Sequence, residues 1–227
     1  MKERIGNIRK LIHQTAINCG RNPAEIRLVG VSKTFPAEIV RQAIEAGMDI
    51  LGENYIQEAK EKIAALSSYP VSWHFIGHLQ SNKAKYAVKL FDLIHTVDSL
   101  KLAEELNRQA AKIGKIQDIL IEVNVGNEET KSGISVEDAL PLIRNIADLT
   151  HLSVKGLMTI PPFYDEPEKV RPYFKALWEL RDTVRAQSVP GILMNELSMG
   201  MSGDFQIAIE EGATMVRIGT AIFGGRV

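Results

Sequence analysis

A lysine at the end of an apolar run is the first residue here whose setting could do chemistry. Lys33 follows Leu28-Val29-Gly30-Val31 with only Ser32 between, so its amine is expected to project from the rim of a packed core. Desolvation there disfavours the ammonium form and frees a lone pair for attack on a carbonyl. A solvated loop lysine is the plainer alternative, and position alone leaves both open.

Two later segments point to an anion site. Ser198-Met199-Gly200-Met201-Ser202-Gly203-Asp204 leads into a helical pattern, where Ser202 could cap the helix and donate its hydroxyl. Arg217-Ile218-Gly219-Thr220 closes the last β-rich run, and Gly219 would let backbone amides approach an anion. An ordinary cap and ordinary turns explain each half separately. A lysine facing a phosphate cradle suits a phosphorylated aldehyde.

These residues need a frame that brings distant segments to one mouth. Ile5, Ile8, Leu11, Ile12, Thr15 and Cys19 recur at three- and four-residue spacing, predicting an amphipathic first helix. Eight β-rich runs follow: 26–32, 50–51, 73–76, 93–97, 119–125, 154–158, 196–199 and 215–218. Helical stretches begin near Ala37, Ile56, Asn82, Leu100, Val136, Lys169 and Asp204. The alternation predicts an α/β fold, a single (β/α)8 TIM-type barrel over residues 1–227 with an extra N-terminal helix. A doubly wound sheet is the rival, but no G-x-G-x-x-G follows the first strand. In such a barrel the strand C-termini and their loops form the site. Lys33, Asn54, Ser198, Met199, Ser202, Arg217, Gly219 and Thr220 all fall there.

Composition narrows the function classes. With 45% hydrophobic and 24% charged residues and a net charge of −1, nothing favours a nucleic-acid or membrane-surface partner. One cysteine, Cys19, excludes an internal disulfide, and its helical spacing reads as core rather than nucleophile. The N-terminus has neither a signal-peptide nor a membrane-span pattern, so a cytoplasmic location is expected. His74 and His78 straddle a strand end without the glutamate of a zinc-protease motif, and no metal site is expected. Lys83 and Lys85 read as a solvated helix face.

Seven ordered motifs carry a resemblance over nearly the whole chain. They are Val-Ser-Lys-Thr (31–34), Gly-Glu-Asn-Tyr (52–55), Trp-His-Phe-Ile-Gly-His-Leu-Gln-Ser-Asn-Lys (73–83), Lys-Ser-Gly (131–133), Gly-Leu-Met-Thr-Ile (156–160), Leu-Ser-Met-Gly-Met-Ser (197–202) and Val-Arg-Ile-Gly-Thr-Ala-Ile-Phe-Gly (216–224). With them the sequence resembles the YggS/PROSC family of pyridoxal-phosphate homeostasis proteins, similar in turn to the barrel domain of alanine racemase. Some family members carry proline where His78 stands. The resemblance implies pyridoxal 5′-phosphate held as a Schiff base on Lys33. It implies Ser202, Gly219 and Thr220 at the phosphate, Arg217 near the pyridine nitrogen, and Asn54, Ser198 and Met199 as neighbours.

The resemblance also frames activity. An arginine stays protonated, and beside the pyridine nitrogen it would keep that nitrogen bare, making the ring a poorer electron sink. The racemase offsets this with two bases, one from a second domain, and the sequence ends at Val227 soon after the last motif. The expectation is a monomeric cofactor binder in vitamin B6 homeostasis that serves pyridoxal-phosphate apo-enzymes, without turnover. An amino-acid racemase is the alternative, and an aldolase-like barrel a distant third.

Overall fold

The computed structural model describes residues 1–128 and 131–225. Eight parallel strands close into a barrel in chain order: β1 (Arg27–Val31), β2 (Ile50–Glu53), β3 (Ser72–Phe75), β4 (Leu93–Val97), β5 (Gln117–Glu122), β6 (Leu152–Met158), β7 (Ile192–Ser198) and β8 (Met215–Ile218). The closing seam pairs β1 with β8, from Arg27 against Met215 to Gly30 against Ile218. That seam rules out the doubly wound alternative, whose sheet stays open. Helices α2 (Ala37–Glu45), α3 (Ile56–Ala65), α4 (Ala84–Leu90), α5 (Leu100–Ala111), α6 (Val136–Ile146), α7 (Arg171–Ala186) and α8 (Phe205–Glu210) form the crossovers. A short α9 (Thr220–Phe223) follows the last strand.

The extra helix α1 (Lys2–Asn18) buries Ile5, Ile8, Ile12, Thr15 and Ala16 and packs against α8 and α9. Arg4 Nη1 donates to the Ile222 carbonyl (3.0 Å), and Arg21 Nη1 to those of Ile209 and Ala213 (2.7 and 2.8 Å). Two expectations need correction. Leu11 is 43% exposed, because it falls outside the stripe that faces the barrel. Cys19 is exposed too, since the helix stops at Asn18 and the chain turns through Gly20 at φ +73°.

Strand edges moved where hydrogen bonding overrode the apolar pattern. β5 ends at Glu122 rather than Val125, because the Asn124 amide turns away to the Ile134 carbonyl. β7 starts at Ile192 rather than Glu196, hidden in the sequence by the polar Asn195. At Gly156 a Cβ would lie 1.9 Å from the Glu196 carbonyl oxygen, so β6 and β7 can touch there only across glycine. Among the described residues, no helix is long and apolar enough to cross a membrane.

Candidate functional site

Side chains alternate along a strand, so residues two apart share a face. Val29, Ile50, Leu93, Leu120, Met158 and Met215 form one buried apolar cluster inside the barrel. Two residues farther toward the strand C-termini come His95, Glu122 and Arg217. An apolar plug therefore supports a polar layer at the barrel mouth, and all three of these side chains are buried.

Arginine can only donate, which fixes the direction of the hydrogen bonds in that layer. Arg217 Nη1 donates to Ser198 Oγ (2.7 Å), and its Nη2 to the Thr159 carbonyl (2.9 Å). The Ser198 hydroxyl then turns its hydrogen to His95 Nδ1 at 2.9 Å. His95, uncharged, carries its hydrogen on Nε2 and donates it to His74 Nδ1 at 3.0 Å. Burial keeps both rings neutral: His74 is held down to about 4, and His95 well below the usual histidine range. Burial also lowers Arg217, to about 10, so it still carries its charge at neutral pH.

Lys33 follows β1 on a backbone pinned from both sides. Lys62, on α3 and 4% exposed, donates through Nζ to the Ser32 carbonyl (2.6 Å), Glu53 Oε1 (2.8 Å) and Glu58 Oε1 (2.5 Å). The Ser32 hydroxyl donates to Glu53 Oε1 (2.5 Å), and the Thr34 amide to Glu58 Oε1 (2.5 Å). Thr34 sits at φ +70°, a left-handed conformation that threonine resists. The clamp thus holds the residues before and after Lys33, one of them in a strained turn.

Lys33, Ser202, Arg217, Gly219 and Thr220 line one cavity of about 480 Å³, partly roofed by the Pro161–Asp165 loop. Thr220 Oγ1 and Ser202 Oγ lie 3.3 Å apart, joining the loops after β7 and β8. Ser202 is not the helix cap. Asp204 takes the N-cap position of α8, and its carboxylate accepts from the Met201 amide (2.6 Å). Ser198 lies beneath Arg217, Met199 is fully buried, and neither lines the cavity. Asn54 lines a different cavity, between α3 and α4. Five of the eight sequence candidates therefore share one pocket, and Ser198 supports it from below.

Sequence reading does not single out Glu122, His95, Lys62 or Glu58, and gives Glu53 only as part of the Gly-Glu-Asn-Tyr motif. Glu122 is the one with acid–base potential. Burial, and next the Asp98 carboxylate, raise it to about 7 against the pull of Arg217. Its Oε2 is buried without a hydrogen-bond partner among the described residues. The available signal was its place two residues beyond Leu120 on an inward strand face.

An amine, a buried guanidinium and two hydroxyls around one cavity suit a phosphorylated carbonyl compound. The volume lies within the roughly 300–1,000 Å³ of small-ligand sites. Comparison with known proteins shows the family. Residues 18–227 match the family described as alanine racemase, N-terminal domain. A pyridoxal phosphate homeostasis protein of Aquifex aeolicus is 46% identical over 224 residues, 99% of this chain and 97% of that protein. The structure of PipY from Synechococcus elongatus PCC7942 with pyridoxal phosphate bound is 35% identical, with a TM-score of 0.82 over 94% of this chain and 100% of PipY. Alanine racemase from Clostridium difficile, in complex with cycloserine, is 17% identical with a TM-score of 0.73 over 96% of this chain and 59% of its own, a likeness of fold alone. The chain therefore belongs to the alanine racemase N-terminal-domain family and, within it, to the pyridoxal phosphate homeostasis proteins.

Proposed function

We propose that this protein binds pyridoxal 5′-phosphate covalently through Lys33 and serves pyridoxal-phosphate homeostasis. The observation that carries the proposal is the single cavity shared by Lys33, Ser202, Arg217, Gly219 and Thr220. When bound, the cofactor supplies an aldehyde that condenses with amines and a ring that withdraws electrons. Ser202 and Thr220 offer hydroxyl donors to the phosphate, and the Gly219 backbone leaves room beside them. Arg217, charged and held by Ser198 and Thr159, would lie near the ring nitrogen and disfavour its protonation. The Lys62 clamp fixes the direction from which the Lys33 amine enters. Asn54 and Met199 act at a distance, as parts of the surrounding loops.

The role we assign is to hold and release the cofactor as a monomer of one domain spanning residues 1–227, in the cytoplasm, for apo-enzymes that need it. The test is the visible absorption spectrum of the purified protein before and after borohydride. A yellow protein whose reduced adduct maps to the peptide containing Lys33, absent in Lys33→Ala, supports the proposal. An unchanged spectrum in Lys33→Ala overturns the lysine assignment.

Glu122 favours a second reading, an amino-acid racemase. A carboxyl titrating near 7 at the barrel mouth is suited to proton transfer at neutral pH. That reading predicts deuterium exchange at the Cα of an added amino acid, lost in both Lys33→Ala and Glu122→Gln. No exchange across a panel of amino acids leaves the binder.

A further inference from the structure

Two of the sequence motifs, Gly-Glu-Asn-Tyr (52–55) and the stretch 73–83, contribute no lining residue to the Lys33 cavity. They meet instead at a second cavity of about 600 Å³ formed by the loops after β2 and β3 with α3 and α4. The two loops are locked together. A Cβ on Gly77 would lie 2.4 Å from the Asn54 carbonyl oxygen, and Thr96 Oγ1 donates to the Gly77 carbonyl at 2.7 Å. The cavity is therefore preformed.

Its chemistry is one-sided. Phe75 and Leu79, 1% and 3% exposed, make an apolar floor, while Tyr55 and Tyr86 stand 60% and 37% exposed at its edge. The charged residues that line it are Lys60 and Lys83, and no carboxylate does so among the described residues. Lys85 adds a further cation, its Nζ 4.7 Å from the Tyr86 ring centroid. In a chain of net charge −1 this is a local excess of positive charge. Asn54 also lines the cavity, and its side-chain Oδ1 is buried without a hydrogen-bond partner among the described residues.

We propose that this second cavity binds a planar nitrogenous ring carrying an anionic group, the chemistry of a nucleoside monophosphate. The ring lies between the tyrosines over the apolar floor, where flat aromatic surfaces gain most from contact. A turn of the Asn54 amide brings its Oδ1 to a ring N–H or amino group, and the anion sits between Lys60 and Lys83, where charge-assisted hydrogen bonds are strong.

The probes are adenosine monophosphate, adenosine and phenyl phosphate, titrated calorimetrically into the wild-type protein. Adenosine monophosphate should saturate one site. Adenosine, lacking the anion, should bind about tenfold or more weaker, and so should adenosine monophosphate to the Lys60→Ala/Lys83→Ala double variant. Both lysines are exposed, so that variant should melt like wild type. Phenyl phosphate, lacking the N–H donor, should bind more weakly than adenosine monophosphate, with the gap closing in Asn54→Ala. Binding should persist in Lys33→Ala and Thr220→Val, which keeps this test separate from that of the cofactor site. No saturable binding of either phosphate at about 1 mM, the weak end of specific affinity, overturns the proposal. So does binding that ignores the loss of both lysines, or that disappears in Thr220→Val.

Discussion

Replacing Lys62 with methionine keeps the length of the side chain and removes its charge. The lysine is 4% exposed, and its three N–H donors meet the Ser32 carbonyl and the Glu53 and Glu58 carboxylates. Among the described residues, Lys62→Met leaves Glu53, 0% exposed, as a buried carboxylate with only the Ser32 hydroxyl on Oε1 and nothing on Oε2. Breaking one side of a buried ion pair costs about 3–5 kcal/mol. Domains have only about 5–15 kcal/mol to lose. Urea unfolding at neutral pH should therefore show a midpoint drop of that size at unchanged slope. Adding Glu53→Gln removes the stranded charge, so the double variant should lose about 2 kcal/mol less than the two single losses combined. The pH dependence has a definite sign. Burial already raises Glu53, and without Lys62 it rises further. The penalty should be full above that raised value and fade as falling pH neutralises the carboxyl. Because the clamp holds the backbone around Lys33, the variant should also release bound cofactor faster. A loss under about 1 kcal/mol, or strict additivity in the double variant, would refute the clamp.

Burial raises the Glu122 carboxyl from 4.5 to about 7, so the native state holds a proton the unfolded state has released. Stability from this group is fully present below about pH 4.5 and falls by about 3 kcal/mol as pH rises to 7. Glu122→Gln should match wild type at pH 4 and exceed it at pH 8 in urea midpoints; equal midpoints at pH 8 would remove Glu122 from the acid–base argument. His74 shifts the other way, from 6.5 to about 4, so its contribution is present above pH 6.5 and about 3 kcal/mol is lost as pH falls to 4. In wild type the two slopes oppose; in Glu122→Gln the acid loss should stand alone. Gly156→Ala would press a methyl against the Glu196 carbonyl and should cost about 3 kcal/mol or more by thermal or urea unfolding. Ser202→Ala with Thr220→Val should weaken retention of the cofactor on dialysis by about tenfold or more while borohydride still fixes it on Lys33.

The barrel was legible because its signals are local. Eight apolar runs with seven helical periods between them leave few topologies, and Lys33, Ser202, Arg217, Gly219 and Thr220 followed from reading strand ends. What escaped was contact across the barrel. Ser198 and His95 are 103 residues apart, and Glu53 and Lys62 meet only because β2 and α3 pack together. His95 sits in the run Leu-Ile-His-Thr-Val, where one polar residue in a strand looks incidental. Lys62 sits on a helix carrying three other charged residues, Glu58, Lys60 and Glu61, and nothing in the sequence marks it as the buried one. Asn54, which the resemblance makes a cofactor neighbour, does not line the Lys33 pocket. The loop after β2 instead packs the Asn54 backbone against Gly77, and Asn54 lines the neighbouring cavity.

The polar layer works as a unit because its members titrate in opposite directions around one permanent cation. From about pH 4 to 7, His74 and Glu122 are both uncharged, and burial holds His95 well below the usual histidine range. Arg217 then supplies the net charge of this layer, which stands at the floor of the Lys33 cavity. Above about 7 Glu122 becomes an anion and the layer approaches neutrality, so its pull on an anionic ligand weakens from pH 6 to pH 8. The histidines must stay neutral for the same reason. A protonated His95 could no longer accept from Ser198, the serine would lose its orientation beneath Arg217, and two cations would share one buried chain of hydrogen bonds. The stacking of a buried apolar cluster beneath this layer is what keeps those rings desolvated and the single positive charge at the cavity floor.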